Sequence, residues 1–250
     1  QLFTGLSKTK TAVINLDDQY SERICSATSA EIITYGIDKK ADLHLLQSDF
    51  SLNGTKAKFQ YGKTDFFVNT TLVGDYNLSN IMAASAVSLS MGISPNRIEQ
   101  SVKNLPSIPG RLEEIPCDCP GKVFIDYAHT PDAYEKLFSA MSKLIDRGKK
   151  IITVFGCGGN RDTKKRKEMA AISEKYSIFN FVTMDNPRTE SLEKINADII
   201  QGFNGPNFEI ICDRKTAVET ALSRMDDHSI LLVLGKGREN YQEIGTEKQP

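Results

Sequence analysis

The segment Ile151-Ile152-Thr153-Val154-Phe155-Gly156-Cys157-Gly158-Gly159-Asn160-Arg161-Asp162 joins an apolar run to a glycine-rich turn, and a second apolar run leads into Asp185-Asn186-Pro187-Arg188-Thr189-Glu190. A helical pattern over residues 162–176 separates the two runs, which predicts a pair of parallel strands with a crossover helix. Ligands of open α/β sheets bind outside the carboxyl ends of such strands, so both loops are expected to face one site. Its arginines, carboxylate and amide suit a zwitterionic ligand.

Strand and helix patterns continue to alternate on both sides of this segment. Predicted strands cover residues 123–125, 151–155, 178–184, 208–212 and 230–234, and predicted helices cover 131–147, 162–176, 192–203 and 215–225. The strands are continuous apolar runs and the helices are amphipathic, as in a parallel sheet covered on both faces. The second half is therefore predicted to be a Rossmann-like α/β domain with a mostly parallel sheet.

The first half has a different pattern. Residues 11–75 are rich in strand formers, and the dipeptide Asn53-Gly54 predicts a hairpin within an antiparallel patch. Two helices are expected next, one from Asn77 and one from Pro95 with Ser94 as its N-cap. The prolines and glycine of residues 106–110 mark a linker, so we predict domains at residues 1–109 and 110–250.

Composition narrows the classes of function. The 250 residues carry a net charge of −1, with 40% hydrophobic and 25% charged residues, which is typical of a globular protein that does not bind nucleic acid or an anionic membrane. Five cysteines match no zinc spacing or disulfide framework and are expected to be reduced thiols. No stretch approaches the ~20 apolar residues of a membrane span. We expect small-molecule partners, a monomer, and a chain cut from a longer one.

The glycine-rich turn is a weak candidate for a nucleotide site. It lacks the Gly-Lys-Ser/Thr ending of a P-loop, and Arg161 stands where the dinucleotide fingerprint needs glycine. Structural need alone is a sufficient reason for such a turn. In the next loop, Arg188 is able to hold a carboxylate in bidentate fashion. The same loop is also typical of a helix start, with Thr189 or Ser191 as the N-cap.

Three further places carry candidate residues. Gly235-Lys236-Gly237-Arg238-Glu239 follows the last predicted strand and converges on the same edge of the sheet. Asp126 and His129 follow the first strand, where they are placed to contact hydroxyls or phosphates of a ligand. The alternative is that Thr130 caps the next helix, with Pro131 at its first position, and that His129 is a turn residue. Asn77 and Asn80 either cap their helix or hydrogen-bond a purine.

Taken together, these motifs resemble the Mur ligases, ATP-dependent amide-bond synthetases of peptidoglycan precursor assembly. The resemblance covers nearly the whole chain and lies in residues 13–18, 74–80, 110–113, 126–132, 155–162, 185–190 and 235–242. It implies the end of a central ATPase domain, with mixed strands and helices, followed by most of the C-terminal amino-acid domain. The implied activity is addition of the third peptide residue to UDP-N-acetylmuramoyl-L-alanyl-D-glutamate, in the cytoplasm of a bacterium or in a plastid of an alga or plant.

The resemblance also implies site residues. ATP binding is expected at Asn77, Asn80, Arg111 and Asp126, and amino-acid binding at Arg161, Asp185, Asn186, Arg188, Gly235 and Glu239. Asp-Asn-Pro-Arg resembles the version that selects meso-diaminopimelate, whose second carboxylate would be the partner of Arg188. Arg238 replaces the usual histidine of the last loop, which leaves the role of that position open.

The implied mechanism is ATP-dependent phosphorylation of a carboxylate followed by attack of the amine on the acyl phosphate, with ATP and Mg²⁺ as cofactors. The resemblance places the P-loop and a carbamylated lysine before Gln1, so the fragment is expected to be inactive alone. Within the chain, His129 is the one catalytic candidate, and the other catalytic residues stay unknown. No metal ligand is assigned.

Four alternatives stay open. They are the lysine-adding ligase of the same family, the related folylpolyglutamate synthetase, a dinucleotide-dependent oxidoreductase, and a non-catalytic amino-acid-binding module.

Overall fold

The structure, a computed structural model, describes residues 2–145 and 148–249. It divides into two compact units, residues 1–106 and residues 107–250. Within the described ranges, no helix combines the length and apolar character that crossing a membrane requires.

The first unit is a five-stranded sheet with helices. Its elements are β1 (Thr11–Asn15), α1 (Ser21–Ala27), β2 (Glu31–Gly36), β3 (Leu43–Ser51), β4 (Gly54–Tyr61), β5 (Thr64–Thr70), α2 (Asp75–Ser90) and α3 (Pro95–Lys103). The strands follow the order β1-β2-β3-β4-β5. Leu78, Ile81 and Met82 of α2 belong to one buried core with Phe59 of β4, as helical spacing of the apolar residues predicts.

The predicted hairpin at Asn53-Gly54 is confirmed, since Ser51 pairs with Gly54 and β3, β4 and β5 run antiparallel. The antiparallel patch does not extend to the rest of the sheet, where β1, β2 and β3 pair in parallel. The connection over residues 16–30 contains α1, which the sequence analysis missed. A connection of that length is sufficient for a parallel crossover.

The second unit is the predicted Rossmann-like domain. Its elements are β6 (Glu113–Ile115), β7 (Lys122–Asp126), α4 (Pro131–Ile145), β8 (Lys150–Phe155), α5 (Lys164–Tyr176), β9 (Phe179–Val182), α6 (Leu192–Ile200), β10 (Phe208–Ile210), α7 (Arg214–Ser223), β11 (Ser229–Leu234), β12 (Gln242–Ile244) and β13 (Glu247–Gln249). The main sheet has the order β10-β9-β8-β11-β7-β6 and is parallel except for β6, which pairs antiparallel with β7. The last two residues of the helix predicted over 131–147 lie outside the described residues.

Helix starts follow the predicted chemistry in two of three places. The Thr130 hydroxyl accepts from the Ala133 amide at 3.3 Å, and the Ser191 hydroxyl accepts from the Lys194 amide at 3.2 Å. The Ser94 side chain makes no capping hydrogen bond to α3. The Ser94 carbonyl accepts from the Arg97 amide instead.

The expectation of reduced cysteines is wrong at one place. A disulfide joins Cys117 to Cys119, whose Cα atoms lie 5.4 Å apart. Cys25, Cys157 and Cys212 are free.

Candidate functional site

A cleft of about 400 Å³ opens at the carboxyl ends of β7, β8, β9 and β11, and we call it the strand-end cleft. Its lining includes all six residues predicted to bind an amino acid: Arg161, Asp185, Asn186, Arg188, Gly235 and Glu239. His129 also lines it, together with Lys165, Tyr241 and Glu243, which the sequence analysis did not single out. The parallel sheet therefore brings the predicted loops to one place, as its topology requires.

The glycines of the first loop, residues 156–162, allow it to pack against the second loop, residues 185–190. A Cβ on Gly156 would lie 2.1 Å from the Thr183 carbonyl oxygen, and a Cβ on Gly159 would lie 1.9 Å from that of Pro187. The Gly159 amide donates to the Asn186 carbonyl at 2.9 Å, and the Asn160 amide donates to Glu190 at 3.0 Å. Because these amides are already engaged, the turn is poorly suited to cradle a phosphate, which argues against the dinucleotide alternative.

Arg166 ties the two loops together, and the sequence analysis missed it. Its fully buried guanidinium donates to both carboxylate oxygens of Glu190 at 2.6 and 2.8 Å, to Asp198 at 2.8 Å and to the Gly158 carbonyl at 3.1 Å. A signal was present, because Arg166 has helical spacing with the buried residues Met169, Ala170 and Ser173. A charge on the buried face of a helix requires a buried partner.

Arg188 is held from several sides. Its Nη1 atom donates to the Gly159 carbonyl at 3.0 Å, and its Nε atom lies 2.7 Å from the Glu243 carboxylate. Its backbone has a positive φ of 53° and pairs with the hairpin of β12 and β13, since the Arg188 amide donates to the Glu243 carbonyl at 2.9 Å. The guanidinium is therefore pre-positioned in the strand-end cleft.

Asp185 and Arg161 carry charges without a protein partner. Within residues 2–145 and 148–249, the structure gives neither side chain a hydrogen bond or an ion pair, and both line the strand-end cleft. Gly235, with φ of 104°, lies against Asp185, because a Cβ there would be 2.9 Å from an Asp185 oxygen. An unpaired carboxylate and an unpaired guanidinium are the groups that an amino acid's ammonium and carboxylate require.

Lys236 organises the remaining polar groups. Its Nζ atom is buried and donates to Asn186 Oδ1 at 2.9 Å and to Glu239 Oε2 at 3.1 Å. Asn186 Nδ2 and the Tyr127 hydroxyl each donate to Glu239 at 3.3 Å. Burial raises the pKa of Glu239, but Lys236 and these donors outweigh it, so the pKa lies below its usual value.

Asn186 is thereby engaged within the protein. Its Oδ1 atom also accepts from the Glu243 amide at 2.9 Å. Asn186 therefore fixes the third loop, residues 235–239, and the hairpin of β12 and β13 relative to the second loop. Its contact with an amino acid stays a prediction.

His129 and Asp126 follow β7. His129 Nδ1 lies 2.7 Å from the Tyr127 carbonyl oxygen, so this nitrogen carries the hydrogen and Nε2 accepts in the neutral ring. Asp126 is buried and accepts from the Leu112 amide at 2.6 Å and the Ala128 amide at 2.7 Å. Burial raises its pKa despite these bonds. Its carboxylate thus organises the chain around it, and its contact with a ribose stays a prediction.

Arg111 and the two asparagines predicted at ATP also stay predictions. Arg111 is exposed, with its guanidinium 5.4 Å from the centre of the Tyr127 ring. In the first unit, Asn77 is buried and donates through Nδ2 to the Val73 carbonyl at 2.9 Å, whereas Asn80 is exposed on the same helix.

Arg238, whose role the sequence left open, binds Glu113. Its Nε atom donates to Glu113 Oε2 at 2.9 Å and its Nη2 atom donates to Oε1. Glu113 also accepts from the Gly110 amide at 2.7 Å, and the bond from Arg238 lowers its pKa despite burial. Arg238 therefore fastens the third loop to the start of the second unit.

Two family descriptions match this chain. Residues 1–88 match the Mur ligase middle domain, and residues 110–237 match the Mur ligase, glutamate ligase domain. The chain belongs to the Mur ligase family.

Two curated relatives carry the name UDP-N-acetylmuramoyl-L-alanyl-D-glutamate--2,6-diaminopimelate ligase. The relative from Aquifex aeolicus is 41% identical over 251 residues, which cover 100% of this chain and 51% of the relative. The relative from Fusobacterium nucleatum is 40% identical over 252 residues, with 99% and 51% coverage. This chain thus spans about half the length of the curated relatives it matches.

Solved structures are also similar to this chain. A structure with the same ligase name is 32% identical, covers 96% of this chain and 50% of its own, and has a TM-score of 0.66. The MurF ligase of Thermotoga maritima in complex with ADP, 16% identical with coverage of 93% and 51%, shares the fold at a TM-score of 0.72.

Proposed function

We propose that this chain contributes to an ATP-dependent ligase that adds meso-diaminopimelate to UDP-N-acetylmuramoyl-L-alanyl-D-glutamate through an acyl phosphate. Residues 1–109 would be the later part of the ATP-binding domain, and residues 110–250 most of the amino-acid-binding domain. The observation that carries the proposal is the strand-end cleft, which gathers Arg161, Asp185 and Arg188 from two adjacent loops.

The charges of the cleft match the amino acid. Meso-diaminopimelate has two carboxylates and two amines, and the unpaired Arg161 and Asp185 offer one group of each sign. Arg188, already in an ion pair with Glu243, offers a second guanidinium at 24% exposure as a hydrogen-bond donor to a second carboxylate. Lysine lacks that carboxylate, so it would leave Arg188 without a ligand partner.

ATP and Mg²⁺ enter the proposal through the family. ATP would supply the phosphoryl group that activates the D-glutamate carboxylate, and Mg²⁺ would offset phosphate charge. Among the described residues, no three histidine, cysteine, aspartate or glutamate side chains are grouped to hold a metal ion. No residue of this chain is therefore assigned to Mg²⁺. The protein would work in the cytoplasm.

Product formation tests the proposal. The complete product of the gene is incubated with ATP, Mg²⁺ and UDP-N-acetylmuramoyl-L-alanyl-D-glutamate, with meso-diaminopimelate or lysine as the acceptor. We expect product and ADP with meso-diaminopimelate alone. Product with lysine would keep the ligase and overturn the specificity, whereas no product with either amino acid would favour a non-catalytic binding module.

A further inference from the structure

Glu243 lies beside Arg188 in the strand-end cleft, and nothing in the sequence pointed to it. Its Oε2 atom is 2.7 Å from Arg188 Nε, and the two side chains are 28% and 24% exposed. Both line the cleft, so the ion pair borders the space that an amino acid would enter.

The ion pair is fixed through its backbone. The Arg188 amide donates to the Glu243 carbonyl at 2.9 Å, and the Gly245 amide donates to the Arg188 carbonyl at 2.8 Å. Arg188 Nη1 is further held by the Gly159 carbonyl at 3.0 Å. The positive and negative groups therefore have set positions before any ligand arrives, which lowers the entropic cost of binding.

We propose that Glu243 is a specificity-determining residue that accepts the ammonium of an α-amino-acid head whose carboxylate Arg188 binds. The inference rests on the proposed function, because it requires an amino acid with two such heads to bind in this cleft. Arg188 binds only the carboxylate of such a head, and Glu243 supplies the acceptor for its ammonium.

Charge complementarity supports this role. An Arg-Glu pair presents a positive and a negative group side by side, and an α-amino-acid head presents the opposite arrangement, so each of the four charges gains a partner. A plain carboxylate would put a second anion next to Glu243 or would have to displace it. An isolated ammonium would lie next to Arg188. The pair thus favours the zwitterionic head over either charge alone.

The other carboxylates of the cleft differ from Glu243. Glu239 is already held by Lys236, Asn186 and Tyr127. Among the described residues, Asp185 has no side-chain hydrogen bond or ion pair, although its charge acts on the buried Arg214, and it is the competing acceptor for the same ammonium. An experiment must therefore separate Glu243 from Asp185.

Calorimetric titration of the 250-residue chain with two probes makes that separation. Meso-diaminopimelate carries both ammonium groups, and pimelate has the same carbon chain and carboxylates without them. In Glu243→Gln, we expect meso-diaminopimelate to bind about tenfold more weakly, because a charge-assisted hydrogen bond is lost. Pimelate should bind equally or more tightly, because the anion beside its carboxylate is gone.

The control is Glu247→Gln, which removes a carboxylate from an exposed position of the same hairpin and should leave both affinities unchanged. Unchanged meso-diaminopimelate affinity in Glu243→Gln would overturn the inference in favour of Asp185. Tighter binding of both probes would overturn it by making Glu243 a competitor for Arg188. A wild-type chain that binds no meso-diaminopimelate would also overturn the inference, which requires an amino acid in this cleft, whereas the proposed function is tested separately by product formation with the complete protein.

Discussion

Glu190, which precedes α6, accepts hydrogen bonds from a charged side chain and from a backbone amide. Its two oxygens accept from Arg166 at 2.6 and 2.8 Å, and one of them also accepts from the Asn160 amide. The bonds from Arg166 are the main reason that the pKa of Glu190 falls to about 2, against a usual value of 4.5. Glu190 thus holds the first loop of the cleft through its negative charge.

Glu190→Gln should lower the free energy of unfolding by about 2 to 4 kcal/mol at pH 7, because Arg166 stays buried with Asp198 as its remaining acidic partner. The folded-state pKa is depressed, so the charged carboxylate stabilises the protein fully above the unfolded-state pKa near 4.5. The difference between wild type and variant should shrink as the pH falls from there towards about 2. Urea unfolding at pH 7 and pH 3 measures it.

Glu193→Gln is the matched control, since Glu193 is exposed in the first turn of α6. Its effect should be small at both pH values. A difference between wild type and Glu190→Gln that is the same at pH 7 and pH 3 would show that Glu190 does not act through its charge.

At the scale of elements, the sequence predicted the alternating strands and helices of the second unit and missed several short pieces. Apolar runs and amphipathic helices recur at their expected places from β7 to β11, although β10 has only three residues. Strands β6, β12 and β13 have three residues each, too few to show a period of two. The parallel pairing of β1 and β2 depends on a crossover through α1 that local pattern did not reveal.

The same division holds for the candidate site. Loops that directly follow predicted strands could be located, and seven of their candidate residues line one cleft. Lys236 belongs to one of these loops, but its hydrogen bond to Asn186 joins it to a loop that is distant in sequence. Glu243 lies on a hairpin whose position depends on backbone pairing with Arg188. Such contacts join residues fifty or more positions apart and leave no local signal.

The glycine-rich turn gives a prediction at this scale. Gly159→Ala should destabilise the protein by about 2 to 3 kcal/mol, because its Cβ would lie 1.9 Å from the Pro187 carbonyl oxygen and would force two backbones apart. Thermal unfolding of the two proteins measures the loss.

Gly158→Ala is the control within the same turn, since its Cβ would lie 3.1 Å from Arg188 Nη1, a contact that a shift of a few tenths of an ångström relieves. Equal losses for the two variants would show that the turn, rather than the contact between the loops, limits stability.

At the scale of the whole molecule, the strand-end cleft is confined to one compact unit. The seven lining residues that the sequence predicted, from His129 to Glu239, belong to residues 107–250, as do Glu243 and the Arg166 network. The sheet that positions them, with its order β10-β9-β8-β11-β7-β6, is likewise complete within that unit. A unit with its own sheet and core is expected to fold independently.

Residues 107–250 expressed alone should therefore unfold in one cooperative transition and bind meso-diaminopimelate with a Kd within about twofold of the 250-residue chain. Calorimetric titration of the two proteins makes the comparison, and Glu243→Gln in the short form should reproduce the loss that it causes in the long one. A short form that folds but binds much more weakly would mean that residues 1–106 take part in amino-acid binding. Equal affinities would instead assign recognition of the amino acid to the second unit.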